Sequence, residues 1–294
     1  MNTRSRDLYL LHFVVFIWGW TAILGKLIEL PALYLVWYRL PIAVAGIAFW
    51  AWYKKINILI SWKKVITYSA VGLVIMLHWI TFYGAIKVSN ISITLACLAT
   101  ISFFTSILEP LIFKRRIRAY EIIFGLIVAV SMALLFKLEF SYKLGIAMGI
   151  FSAFTSSLFG VLNGWLIKRG DDPVTISFFE LAGGLLALTL FLFKDIGSWP
   201  LPTELDWFYL ALLGILCTTI PFIISMEILR NISPYTIALT INLETVYGIF
   251  FAYFIFNDSE KMSTGFYLVT AIVLAVVIAN ALLKYATDKR LSKK

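Results

Sequence analysis

Ser233–Lys261 reads SPYTIALTINLETVYGIFFAYFIFNDSEK. From Ser233 to Phe256 run about 24 mostly apolar residues. At about 1.5 Å per residue they are long enough to cross a hydrocarbon core of about 30 Å. Glu244 stands near the middle. A carboxylate at the bilayer centre costs about 2.5–3.5 kcal/mol on insertion scales. It is tolerated where it faces a bundle interior or a wet cavity, finds a partner, or carries a proton. The rest of the chain reads as the scaffold around this group and its relatives.

The 294 residues are 61% hydrophobic and 14% charged, with a mean hydropathy of +0.92. Soluble domains are closer to 45–50% apolar and about 25% charged, so this is a polytopic membrane protein. No stretch outside the apolar runs is long enough for a soluble domain; the longest connection, Asp195–Asp206, is a loop. The net charge of +9 belongs to residues flanking the spans and gives no reason to expect nucleic acid. Cys97 and Cys217 lie inside apolar runs and read as small core residues, with no disulfide framework. Arg4 and Arg6 precede a first apolar run without a small-residue cleavage site, which reads as an uncleaved helix.

Ten spans are expected: Leu8–Ile28, Leu33–Tyr53, Val65–Lys87, Ser89–Phe113, Ala119–Lys137, Lys143–Ile167, Val174–Lys194, Trp207–Leu229, Ser233–Phe256 and Thr264–Tyr285. The third and fourth are joined by almost nothing and form a tight hairpin. With the N-terminus inside, eighteen Lys and Arg fall on the cytoplasmic side and six on the other. The eighteen include Arg118, Lys293 and Lys294. The positive-inside bias therefore puts both termini in the cytoplasm.

The chain also repeats. Ser89–Ile117 lies on Ser233–Lys261 at an offset of 144, and the first two spans lie on the sixth and seventh at about 141. This puts Gly19 on Gly160 and Arg39 on Glu180. Five spans per copy is odd, so the second copy enters the membrane upside down. Inverted repeats give transporters two alternative packings around a midplane site.

Several residues carry a family likeness. The first span has Trp18–Gly19 and then Gly25–Lys26. The second has an early Arg39. The ninth has Asn242–Leu243–Glu244 before an apolar run closing on an acid. In these features, over nearly its whole length, the chain resembles EamA-type permeases of the drug/metabolite transporter superfamily. It departs at Thr245, where the family usually has proline, at Asn257–Asp258 in place of Gly–Glu, and at Lys114–Arg115–Arg116, where an acid often closes the fourth span. The resemblance implies an all-α carrier with a 5+5 inverted-topology repeat, exporting amino acids or other small metabolites across the inner membrane. It divides the chain into a first repeat at 1–138, a second at 143–285 and a basic cytoplasmic tail at 286–294.

Each candidate residue has a functional and a structural reading. Glu244 could bind a substrate ammonium or carry a proton, or simply bond a neighbouring helix. Thr240 and Tyr247 lie one turn either side and are expected on its face. His78 is central in its span and could relay protons or bind a carboxylate; it could equally be a packed histidine. Trp79 and Tyr83 share a face and could floor an apolar or aromatic pocket or offer a cation–π surface. Arg39, about six residues into its span, could bind a carboxylate bidentately or snorkel to the outer interface. Inversion places its repeat mate Glu180 near the opposite face, too far to pair, as part of an inner gate. Trp18, Thr21 and Gly25 are expected on the cavity, and Pro41 and Pro221 should kink their helices. Glu109 and Glu227 read as charge balance for Arg115 and Arg230. Asn242 is turned away from Glu244 toward a neighbouring helix. The sequons at Asn90 and Asn231 abut spans and read as coincidence.

The expected function is a secondary carrier working by alternating access, with substrate bound by Glu244, His78, Trp79, Tyr83, Trp18, Tyr247 and Arg39. Glu180, Glu244 and His78 are the gating or coupling candidates. The cavity is expected between spans one, three, four, six, eight and nine. No Walker glycine-rich loop is present, so ATP is not the direct fuel. Only His12 and His78 exist, on different spans, which leaves little for a membrane-embedded enzyme. A passive channel or lipid scramblase is the competing reading. No cofactor or metal is expected, and no nucleic acid. The partners are a small-molecule substrate and membrane lipid, with the chain a monomer or weak homodimer.

Overall fold

The computed structural model describes residues 3–116 and 119–291, with helices, short connections and no strand among them. The first half holds α1 (Thr3–Leu27), α2 (Ala32–Tyr53), α3 (Trp62–Val88), α4 (Ile91–Leu98), α5 (Ile101–Phe113) and α6 (Ala119–Leu138). The second holds α7 (Lys143–Lys168), α8 (Pro173–Leu192), α9 (Glu204–Gly214), α10 (Ile220–Ile228), α11 (Pro234–Phe256) and α12 (Thr264–Leu291). Every expected span falls on helix. The fourth is broken into α4 and α5. The eighth is interrupted by a π-helical turn, Ile215–Thr219, between α9 and α10. Among the described residues, eight spans are long and apolar enough to cross a membrane; the apolar stretches of α6 and α12 described there are shorter, Leu126–Leu138 and Thr264–Val276. The expected tail at 286–294 begins as a continuation of α12. Arg118, Lys293 and Lys294 lie outside the described residues.

The sequence writes its own helix starts. Ser233 accepts from Thr236 N at 3.3 Å and Asp172 from Thr175 N at 2.8 Å, each just ahead of a proline. Proline suits that first position because its missing N–H would have no intrahelical partner anyway. Thr203 and Asp206 form a reciprocal capping box. Asn90, the head of a sequon, spends its side chain capping α4, accepting from Ile93 N at 2.8 Å.

The two breaks also have local causes. At the α4–α5 junction, Thr100 N and Thr100 Oγ1 both donate to Cys97 O, at 3.0 and 2.7 Å, tightening one turn. In the π turn, the Thr218 and Thr219 hydroxyls donate to carbonyls five residues back, Leu213 O at 2.6 Å and Gly214 O at 2.9 Å. Pro221 follows at once and has no N–H to continue the ladder.

Packing contacts come in mated pairs. α1 packs on α11, and their repeat mates α7 and α4/α5 pack together. α3 packs on α7, as α10 packs on α1. α2 on α8, α6 on α12 and α4/α5 on α11 each join a helix to its own mate. Exchanging the two halves carries each of these contacts onto another of them.

The ion pairs between segments gather at the two ends of this bundle. At one end Lys64 pairs with Asp171, Arg230 with Asp172 and Glu227, and Asn231 donates to Asp7 at 2.7 Å. At the other end Lys26 meets Glu260 at 2.7 Å, and Lys87 donates to Ile28 O. Glu109 does more than balance Arg115. Its carboxylate lies 3.7 Å from Arg115 and also accepts from Tyr235 N at 2.8 Å, capping α11. Glu260 is the counterpart at the opposite end, accepting from Ile91 N at 3.1 Å and Ser92 N at 2.9 Å to cap α4.

In lipid, helices associate through close packing more than through water exclusion, which favours small residues at contacts. α3 and α8 meet on such residues. Gly72 lies against the backbone of Glu180, and Gly183 against Ser69.

Candidate functional site

A cavity of about 120 Å³ opens between the halves, its lining running from Arg39, Trp79 and Glu244 to Leu229 and Pro234, where α10 ends and α11 begins. The expected spans one, three, four, six, eight and nine all line it, and α2 adds Arg39. Most of the lining is apolar, with a few polar groups aimed inward, as in small-molecule sites generally.

Arg39 is buried and does not snorkel. Its guanidinium lies 4.1 Å from the Trp79 ring centre. Nε donates to Thr218 Oγ1 at 2.6 Å, and Nη1 to Tyr83 OH at 2.7 Å. The π turn is what swings Thr218 into reach. Thr218 and Tyr83 are neutral, and among the described residues no carboxylate pairs with Arg39. Two of its five N–H donors are used, and the phenol proton of Tyr83 is free to donate beside them.

Glu244 faces the same cavity from α11, buried to 6% exposure. Thr21 is the hydroxyl beside its carboxyl. Thr21 has one proton, and Trp18 O at 2.6 Å takes it. The Glu244 carboxyl therefore keeps acceptor capacity toward the cavity.

His78 is fixed between α3 and α7. Nδ1 lies 2.9 Å from Ser152 O, and the rings of Phe159 and Phe82 flank it at 5.5 and 6.0 Å. The Ser152 hydroxyl is also 2.9 Å from Nδ1, and its proton has an acceptor in His78 O at 3.2 Å; the Ser152 carbonyl can only accept, so this pairing has Nδ1 carrying the hydrogen and Nε2 presenting a lone pair.

The structure thus gathers Glu244, His78, Trp79, Tyr83, Trp18 and Arg39 around one space. Tyr247 and Thr240 do not reach it. At about 100° per residue, Ile237, Ile241, Pro234 and Ala238 lie about 20°, 60°, 80° and 120° round from Glu244 to one side, and these four line the cavity. Thr240 and Tyr247 lie about 40° and 60° to the other side. Glu244 is the edge of the lining face rather than its centre. Tyr247 instead packs edge-on against Phe16 at 5.6 Å.

Gly25 also leaves the expected set: it lies behind the Tyr83 ring, where an added Cβ would come within 2.4 Å. Glu180 lies outside the wall, fully buried, with Asn163 between it and the cavity. Asn242 bonds its own preceding turn, at Ala238 O and Leu239 O, rather than a neighbouring helix. Asn163 and Thr218 were not foreseen. Asn163 is the one amide side chain in the sixth span, and that isolation was a usable signal.

A many-helix membrane protein with an inward-facing polar pair in a central cavity has the build of a permease. A model of the EamA-like transporter family matches residues 7–137 and again 143–282, so the chain belongs to that family, within the drug/metabolite transporters. A comparison with curated proteins found no match. A solved crystal structure of a protein with no further description superposes with a TM-score of 0.68 at 14% identity, over 96% of this chain and 98% of that one. At that identity the likeness shows the fold alone.

Proposed function

We propose that the protein is a secondary-active transporter of a zwitterionic metabolite, an amino acid with an apolar or aromatic side chain. The observation that carries this is the pair Arg39 and Glu244. A buried guanidinium and a buried carboxyl line one cavity without pairing with each other. An α-amino acid supplies both missing partners: its carboxylate takes the remaining Arg39 donors and the Tyr83 hydroxyl, and its ammonium takes Glu244. Trp18, Trp79 and Phe222 offer surface to the side chain.

The transport mechanism is alternating access. Five spans per copy, the mated packing and the family's two-copy match support an inverted repeat, whose halves exchange shapes to open the cavity to either side. The positive-inside bias supports cytoplasmic termini in the inner (plasma) membrane. Glu244 and the Nε2 lone pair of His78 are the cavity groups able to exchange protons for coupling. Export is the direction the family likeness favours.

The test is uptake into proteoliposomes of a panel in which one apolar amino acid competes with its decarboxylated amine, its deaminated acid and a neutral amide. We expect saturable uptake, with the amine and the acid each competing at least tenfold more weakly, since one charge-assisted bond is worth about 1.5–3 kcal/mol. Equal competition by all four overturns the zwitterion assignment. Flux linear in concentration and indifferent to competitors replaces the carrier with a channel.

A further inference from the structure

We propose that Glu180 and Asn163 form a proton-binding site behind the cavity wall, where one proton on the Glu180 carboxyl closes a cyclic acid–amide pair. This rests on the proton-coupled carrier reading above and supplies it with a site outside the substrate pocket.

The geometry states the need. Glu180 is 0% exposed and Asn163 1%. A single long hydrogen bond joins them, Asn163 Nδ2 to Glu180 Oε2 at 3.4 Å. The other oxygen of each group, Glu180 Oε1 and Asn163 Oδ1, is buried with no hydrogen-bond partner among the described residues. Buried acceptors are ordinarily satisfied, and each exception asks for an explanation. Here one hydrogen answers both. A carboxyl O–H donates to the amide oxygen while the amide N–H donates to the acid carbonyl. Turning the amide over sets acceptor against acceptor and asks for the same proton.

Among the described residues the surroundings offer nothing else. Gly72 and Gly184 bring the backbones of α3 and α8 together, an added Cβ on Gly184 lying 3.0 Å from Gly72 O. Two oxygens fall short of the six or more that a hard cation such as Mg²⁺ or Ca²⁺ collects. Tyr68 of α3 is a titratable side chain within electrostatic reach of Glu180, and its hydroxyl bonds Asp171. Arg39 of α2 is held by Thr218 and Tyr83, and His78 of α3 by Ser152. Glu227 of α10 is paired with Arg230, and Lys168 and Arg169 of α7 lie over Phe113 and Trp165.

Asn163 also lines the cavity, which links the site to the substrate. When the proton passes to cavity water as hydronium, the pair loses its stronger hydrogen bond and the Asn163 amide is free to turn inward. Protonation behind the wall and occupancy in front of it then act through one side chain.

Infrared spectroscopy of the full-length protein in lipid nanodiscs tests this without substrate. We expect, at neutral pH, a protonated-carboxyl carbonyl band that shifts in heavy water and is lost in Glu180→Gln. That variant retains both hydrogen bonds, because a glutamine amide donates where the acid did. Asn163→Leu should move the band to higher frequency, as for a carbonyl that loses its donor; this variant decides the matter if Glu180→Gln does not fold. Absence of any band dependent on Glu180 or Asn163 overturns the site. In proteoliposomes, accumulation driven by an imposed pH gradient should be lost in Glu180→Gln. A wild-type protein that shows no such accumulation overturns the coupled-carrier reading, and the infrared band still decides the site on its own.

Discussion

Arg39→Leu should raise the dissociation constant for a carboxylate-bearing substrate by about 100-fold or more. Two hydrogen bonds to a charged group are removed, each worth about 1.5–3 kcal/mol, and each 1.4 kcal/mol is about tenfold in affinity. Glu244→Gln removes one such interaction with the ammonium and should cost about 10- to 150-fold. The two variants should differ in what they discriminate. Arg39→Leu should erase the preference for the amino acid over its decarboxylated amine, and Glu244→Gln the preference over its deaminated acid. Equilibrium binding of the purified protein measures both. Arg39 also braces Tyr83 and Thr218, so Arg39→Lys is the companion variant. It keeps the cation and loses the planar fork, and should fall between wild type and Arg39→Leu. A lysine variant equal to wild type would show that only charge matters.

Gly72→Ala should sharply reduce the yield and thermal midpoint of the folded protein. An ideal Cβ there would lie 2.0 Å from Glu180 O, 2.7 Å from its carbonyl carbon and 2.9 Å from its Cα. All three are backbone, so no rotamer change relieves the clash and α3 must move off α8. Overpacking costs about 1–3 kcal/mol, occasionally more, and backbone against backbone puts this case at the upper end. Gly160→Ala is the control, because nothing lies within 4 Å of its added Cβ; it should fold normally while placing a methyl in the cavity. A Gly72→Ala protein as stable as wild type would mean that α3 and α8 are not in backbone contact at this point.

Much of this arrangement is legible in the residues alone. Span length and hydropathy place all ten helices, and helical spacing on α3 places Trp79 and Tyr83 on one cavity wall with His78 close by. Glu244 announces itself as an acid halfway along an apolar run. What was misjudged shares one cause: periodicity fixes which residues share a face, but not which part of the face the neighbours leave open. Tyr247 and Thr240 are near Glu244 on the helix wheel, yet neither lines the cavity, and Tyr247 packs on Phe16 of α1. For Arg39, depth counted from the helix end leaves carboxylate binding and snorkelling both open. The count omits the reach of the side chain and the partners that the π turn and α3 bring to it. Glu109 looked like local charge balance because the backbone amide it caps is 126 residues away, a distance no motif spans.

The carboxylates of Glu109 and Glu260 have a consequence for solvent exchange. Amides in the first turn of a helix ordinarily lack partners and trade hydrogen for deuterium quickly. Ile91, Ser92 and Tyr235 are exceptions, each held by an acid from a distant segment. They form two protected islands at opposite ends of the central helices. Each should lose its protection only when its own end of the molecule loosens. Deuterium uptake at these three amides therefore reports which end is opening, in unlabelled protein and with the substrate still unnamed.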